Sequence, residues 1–374
     1  MARLLICAGG TGGGVYPALS IYQALADRID QTLWVGGIGG MEEALVTREN
    51  IPYRSIPAAG LHGVGLRSIP GNTHKLFQGI AASRRILREF KPDAILFTGG
   101  YVAVPMALAA RGIPQFLFVP DIEPGMALKV LSHFAAKVAL TVSDSLNYFK
   151  VDARFVVTGY PLRAGLKKLD RANALRQMNC TADRPVILVT GGSKGAHLLN
   201  TAILDNLPAL LAEYQVIHLT GTLDYPEIQT VAAGLPADLS ARYHVYPYLH
   251  EEMSAAFSCA DLAICRAGAS TLGELPYFNV PAILVPYPFA WRYQKINADF
   301  LVRNRAARMI ENEKLSVELI PALHELFAGK GQNRAQMYLM MRNLEYVSVG
   351  AADYLAKLVL ELADAHQAKQ EGRQ

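Results

Sequence analysis

The chain has 374 residues, 51% apolar and 18% charged, which excludes a disordered protein and is too long for one ordinary core. A net charge of +4, with four cysteines (Cys7, Cys180, Cys259, Cys265) and no C-x-x-C pair, argues against a nucleic-acid partner, a zinc site or other metal, and an oxidised secreted scaffold. The apolar runs are short or broken by Pro, Lys or His, so no transmembrane helix is expected, and the N-terminus reaches glycine too soon for a signal peptide.

In chain order, Leu4–Ala8 is predicted as a buried parallel strand, followed by Gly9-Gly-Thr-Gly-Gly-Gly14 and a helix to about Asp30. Glycines around Thr11 let the backbone approach a ligand closely. This is not a dinucleotide fingerprint, because the second strand, Leu33–Val35, runs into Gly36-Gly37 with no acidic residue at its end. A turn needed only for packing is the alternative. Ile51–Leu76 reads as loop-rich, with exposed-looking Leu61, Val64, Leu66 and Ile69. A basic amphipathic helix follows, carrying Lys75, Leu76, Phe77, Ile80, Arg84, Arg85, Arg88 and Lys91. Such a segment either packs its apolar side on a sheet or rests on an anionic membrane.

Asp93–Phe97 starts a second strand–glycine pair–helix unit, Thr98-Gly-Gly-Tyr-Val-Ala-Val-Pro105. The strand Gln115–Val119 ends in Pro120-Asp-Ile-Glu-Pro-Gly125. Asp121 and Glu123 therefore sit at a strand's C-terminal end, where open α/β sheets bind ligands; two solvated loop acids are the alternative. A strand at Lys137–Val142 follows, and Val156–Gly159 ends the half with Tyr160-Pro-Leu-Arg163.

Ala164–Arg184 is charged and reads as a linker and first helix. The strand Pro185–Thr190 and Gly191-Gly-Ser-Lys-Gly-Ala196 then repeat the opening plan. Two doubly wound α/β units in tandem follow from that restart. Further strands are predicted at Tyr214–Thr220, Tyr243–Val245, Leu262–Cys265 and Ala282–Pro286. After Cys265 comes Arg266-Ala-Gly-Ala-Ser-Thr-Leu-Gly-Glu-Leu275. A strand, a small-residue turn and a helix aim free backbone N–H groups at an anion. Glu274, one turn into the helix, can accept from hydroxyls beside that anion, and a phosphate with a vicinal diol describes a nucleotide sugar. The same order also makes a plain strand-to-helix turn capped by Ser270 or Thr271. The expected domains are 1–163 with a returning helix at about 343–365, and 164–342, with 366–374 a disordered polar tail.

Taken together, six motifs in this order resemble the MurG family: Gly9-Gly-Thr-Gly-Gly, Gly99-Gly-Tyr-Val-x-x-Pro105, Tyr160-Pro-Leu-Arg163, Gly191-Gly-Ser-x-Gly-Ala196, Arg266-Ala-Gly-Ala269 with Thr271 and Glu274, and Gln294-x-x-Asn-Ala298. The resemblance covers nearly the whole chain. It implies a GT-B fold, two Rossmann-like domains facing across a cleft. It implies an inverting, cofactor-free transfer of N-acetylglucosamine from UDP-N-acetylglucosamine to lipid I, an undecaprenyl diphosphate-linked acceptor, giving lipid II on the cytoplasmic face of the membrane. By the same resemblance, Gly192, Ser193 and Gly195 with neighbouring amides hold the donor diphosphate, helped by Ala269 and Thr271. Glu274 accepts from the ribose, Arg163 reaches the nucleotide, Tyr246–Leu249 presents backbone to uracil, and Gln294 binds the sugar. Thr11, Gly12, Gly13, Gly14 and Tyr101 face the acceptor diphosphate.

Two departures bear on the chemistry. The family usually has histidine at the position of Gly14, a candidate base, and His-Glu-Gln-Asn where this chain has Pro120-Asp-Ile-Glu123. Asp121, then Glu123, become the candidate bases. The alternatives are a related transferase with another acceptor, a UDP-N-acetylglucosamine 2-epimerase, and a UDP-sugar-binding protein without catalysis.

Overall fold

The computed structural model describes residues 2–10, 12–59, 69–192, 195–288 and 293–372. The chain divides into two compact units, Met1–Ala164 with Gly350–Gln374, and Gly165–Val349. Each is built on one all-parallel sheet.

In the first unit the strands are β1 (Ala2–Ala8), β2 (Ile29–Gly37), β3 (Tyr53–Ile56), β4 (Ala94–Gly99), β5 (Gln115–Val119), β6 (Lys137–Leu140) and β7 (Phe155–Val157), ordered β3-β2-β1-β4-β5-β6-β7. Leu5 pairs with Leu33 on one side and Ile95 on the other. The central strands are apolar along their whole length because helices cover both faces; all six residues of β4 are buried. The second unit has β8 (Val186–Thr190), β9 (Gln215–Leu219), β10 (Tyr243–Tyr246), β11 (Leu262–Cys265), β12 (Ala282–Leu284) and β13 (Ala307–Met309), ordered β10-β9-β8-β11-β12-β13. Each unit has its own apolar core, one around Leu5, Val35, Phe97 and Leu117, the other around Ile187, Val216, Ile264 and Leu319. These are two Rossmann-like, doubly wound units. In each, the strand order reverses beside the first strand, between β1 and β4 and between β8 and β11, and the loops leaving those strands open at one point.

Three details differ from the sequence reading. β3 and β13 were not expected; both are short edge strands. The first helix begins at Gly12, so Gly12–Gly14 form its opening turn and the irregular glycine segment is shorter than Gly9–Gly14. The returning helix spans Ala351–Glu371, starting after Gly350 at φ +72° and continuing through most of the segment read as a disordered tail. It packs on the helix Gly12–Leu25 and on β1 and β4. There Gln367 Nε2 donates to Asp93 Oδ2 at 2.9 Å, and the same oxygen accepts from the Arg3 amide at 2.8 Å. Tertiary partners thus order polar residues that composition alone assigns to solvent.

Candidate active site

At the first switch point two glycine loops interlock. Gly10 and Gly100 adopt left-handed φ values of +87° and +89°, and a Cβ on Gly100 would strike the Gly9 carbonyl oxygen. No other residue type fits there. Thr98 Oγ1, at the end of β4, donates to the Gly14 carbonyl at 2.6 Å, tying the two loops' strands together. Tyr101 follows this crossing and is 50% exposed. Beyond it, Thr141 Oγ1 donates to the carbonyls of Val119 and Pro120 at 3.1 and 2.8 Å. This clamps the start of the Asp121 loop to the end of β6. Asp121 is partly exposed, whereas Glu123 is buried at 3%. Arg163 lies in this unit with its guanidinium 5.5 Å from the Tyr16 ring centroid. Thr11 falls outside the described residues.

The second switch point has the same plan. Gly192 and Gly195 take φ +88° and +82°, and the Gly195 amide donates back to the Gly192 carbonyl at 3.0 Å. Ser193 lies outside the described residues. A Cβ on Gly195 would collide with the Thr220 carbonyl oxygen, which places this turn against the end of β9. On the other side of the switch, the Arg266 amide reaches the Thr190 carbonyl at 3.4 Å. The Arg266 side chain turns away from that turn and is buried: Nη1 donates to Val285 O at 3.0 Å and to Asn312 Oδ1 at 2.7 Å. It anchors the loop rather than offering its charge to a ligand, and burial holds its pKa below the ordinary value. Asn297 Nδ2 holds the Ala267 carbonyl at 3.1 Å.

Gly268 follows, and here the described residues supply no reason for glycine. Its φ is not left-handed and a Cβ there would meet no atom of the described residues within 4 Å. Ala269 is buried, and Thr271 Oγ1 donates to Gly268 O at 2.5 Å as the helix Thr271–Phe278 begins. Glu274 is 7% exposed in that helix. With burial as the larger cause, its charge pushes the Cys265 thiol up to about 12. Gln294 Oε1 accepts from the Tyr287 amide at 2.9 Å.

Residues 4–140 match the Glycosyltransferase family 28 N-terminal domain and residues 186–354 match the Glycosyltransferase family 28 C-terminal domain. The UDP-N-acetylglucosamine–N-acetylmuramyl-(pentapeptide) pyrophosphoryl-undecaprenol N-acetylglucosamine transferase of Roseiflexus sp. (strain RS-1) is 37% identical over 370 residues, covering 84% of each chain. The transferase of that name from Thermoanaerobacter sp. (strain X514) is 32% identical, covering 96% of this chain and 99% of its own. The chain belongs to the MurG family. The crystal structure of Acinetobacter baumannii MurG superposes with a TM-score of 0.75 at 28% identity, over 96% of this chain and 100% of the other. A UDP-GlcNAc 2-epimerase from Neisseria meningitidis also aligns, with a TM-score of 0.67 over 96% of this chain and 100% of the other. At 15% identity that likeness shows only the shared two-unit fold.

As a MurG-family member the chain is a hexosyltransferase of GT-B class. Among the sites read from sequence, the described residues bring Gly192, Gly195, Ala269, Thr271 and Glu274 to one switch point, and Gly12, Gly13, Gly14, Tyr101, Asp121 and Glu123 to loops around the other. Sequence reading missed the support beneath the first of these sets. His218 is fully buried on β9, between the Tyr243 hydroxyl at 2.8 Å and Asn200 Oδ1 at 3.0 Å. Asn200 Nδ2 donates to Thr220 O at 2.8 Å and to Asp224 Oδ2 at 2.7 Å. Because that amide nitrogen faces two acceptors, Oδ1 must accept, so His218 carries a proton on Nε2, and burial, which lowers its pKa, keeps the ring neutral. This network fixes the carbonyl against which Gly195 turns. Asn200, His218 and Tyr243 lie 18 and 25 positions apart in succession, too far for a local signal.

Proposed function

We propose that this chain transfers N-acetylglucosamine from UDP-N-acetylglucosamine to the muramyl sugar of lipid I, giving lipid II for peptidoglycan, with the second unit holding the donor and the first the acceptor. The observation that carries the donor half is Gly268. Glycine is needed neither for its backbone angle nor for its packing, so the space above it is kept for a ligand that approaches the main chain. Beside it, the amides of Ala269 and Ser270 at a helix start are placed to offer N–H groups to a diphosphate. Stabilising the departing UDP there lowers the barrier because its charge develops as the glycosidic bond breaks. Glu274 accepts from the ribose hydroxyls, and Gln294 hydrogen-bonds the sugar.

The acceptor hydroxyl must lose its proton as it attacks the anomeric carbon from the face opposite UDP, which inverts the centre. Asp121 is the base we assign to that step. It is partly exposed at the end of β5, on a loop clamped by Thr141, and Pro120 stiffens its backbone. Glu123 is buried two residues on. The acceptor's polyprenyl diphosphate places this unit at a membrane surface, with the helix Ile69–Phe90 as a contact through Phe77 and Arg84. The adjacent segment Leu61–Ile69 proposed from sequence lies outside the described residues up to position 68. No helix among the described residues is long and apolar enough to cross a membrane.

Incubation with UDP-N-acetylglucosamine, with and without a lipid I analogue, tests the proposal. UDP release that requires the acceptor, with formation of the disaccharide product, is expected. Epimerised sugar without acceptor, or donor binding without turnover, would overturn it.

A further inference from the structure

The glycines after β2 are explained by a carboxylate. Glu42 is 1% exposed, at the start of the helix Glu42–Arg48. Its Oε1 accepts from the Gly37 amide at 2.7 Å and its Oε2 from the Gly10 amide at 3.1 Å. A Cβ at Gly9, Gly36 or Gly40 would intrude on this carboxylate. Three glycines on two chain segments thus leave room for one buried acid. Tyr53 closes the pocket from β3, its hydroxyl donating to Gly37 O at 3.4 Å. Burial, then the nearby Glu42 carboxylate, raise the Tyr53 hydroxyl and the Cys7 thiol above their ordinary pKa values, which keeps both neutral.

We infer that Glu42 is a positioning residue for the acceptor loop, an inference that rests on assigning the acceptor to the first unit. The physical reason is directional. A glycine-rich loop has many backbone states of similar energy, so something must select the one that binds. By accepting the Gly10 N–H, Glu42 draws that amide inward, away from any ligand. It fixes Gly10 in its left-handed conformation and sets the position of Gly9. Gly9 in turn is the surface on which Gly100 rests, since no Cβ fits between them. One carboxylate thus orients the start of the Gly12 helix, and through Gly9 the loop that carries Tyr101. Glutamine cannot replace it: Gly10 and Gly37 both present donors, and an amide offers one acceptor oxygen and one opposing N–H₂.

The test uses the full chain with Glu42→Gln and, because either variant can fold poorly, Glu42→Asp. Transfer from UDP-N-acetylglucosamine to a short-chain lipid I analogue is measured while each substrate is varied, alongside UDP affinity by calorimetry and amide hydrogen exchange over residues 9–16. The expected result is a rise in acceptor KM on the order of tenfold or more, faster exchange over 9–16, and donor KM and UDP affinity within about twofold of wild type. Equal acceptor KM in wild type and in a folded variant would overturn the inference alone. Parallel loss of donor and acceptor binding in both variants would also overturn it, since that is a merely structural role. A wild-type chain that transfers nothing to the analogue would overturn the acceptor assignment and this inference together.

Discussion

Thr98 and Gly14 are joined by a buried hydrogen bond of 2.6 Å from the threonine hydroxyl to the glycine carbonyl, 84 residues apart in sequence. It links the end of β4 to the first turn of the helix Gly12–Leu25. Thr98→Val keeps shape and removes the donor. The expected loss of stability is about 0.5–1.5 kcal/mol, read by denaturant unfolding. Acceptor KM should rise while donor KM stays fixed; an unchanged acceptor KM would remove this bond from loop positioning.

Gly14 is the position at which the family resemblance places a histidine. A Cβ there would find the Thr98 carbonyl at 3.4 Å, ordinary contact, and its φ is not left-handed. Gly14→His should therefore fold. Asp121→Asn should lower kcat by about two decades or more with little change in donor KM, as expected when a general base is lost. In the double variant the imidazole should restore part of that loss. Near-normal kcat for Asp121→Asn at saturating acceptor would take Asp121 out of the mechanism.

Glu274→Ala should weaken UDP-N-acetylglucosamine binding by roughly 1.5–3 kcal/mol, one to two decades, if its carboxylate accepts from the ribose. Gly268→Ala should weaken the same ligand without lowering Tm, because its added methyl meets no atom of the described residues within 4 Å. Calorimetry decides both, and unchanged affinity in the pair would return this turn to a purely architectural role.

On the helix Ile69–Phe90, Ser83, Ile86 and Leu87 face the core, while Phe77, at 66% exposure, shares the outer face with Arg84, Arg85 and Arg88. Arg85 Nε is engaged with Glu89 at 2.9 Å, which leaves Arg84 the greater part in attracting anionic lipid. Phe77→Ser and Arg84→Glu should each reduce sedimentation with anionic vesicles, and added salt should mimic the second. Binding indifferent to all three would rule out this face.

His218 supplies a pH dependence. Burial, the larger cause, outweighs the nearby Asp224 charge and lowers its pKa from 6.5 to about 3. The unfolded chain therefore binds a proton that the folded chain refuses between these values. The stabilisation is complete above pH 6.5 and is lost as pH falls toward 3, at up to about 1.4 kcal/mol per pH unit. Between pH 7 and pH 5 the wild type should lose about 2 kcal/mol more than His218→Gln, as read by urea unfolding at each pH. Parallel pH profiles for the two proteins would refute this.

The sequence by itself determined the repeated strand–glycine–helix plan, the central strands and the six ordered motifs. Central parallel strands are buried on both faces, so Leu4–Ala8 and Val186–Thr190 carry unbroken apolar runs that can be read locally. The edge strands Tyr53–Ile56 and Ala307–Met309 each pair on one side only and carry mixed residues, so they left no such signature. Only the tertiary structure decided that Gly36, Gly37 and Gly40 belong to Glu42, that Arg266 is an anchor, and that Asn200 and His218 stand behind Gly195. Each of these depends on which segments the sheet order brings together, because a buried polar group is fixed by partners distant in the chain and not by its own neighbours.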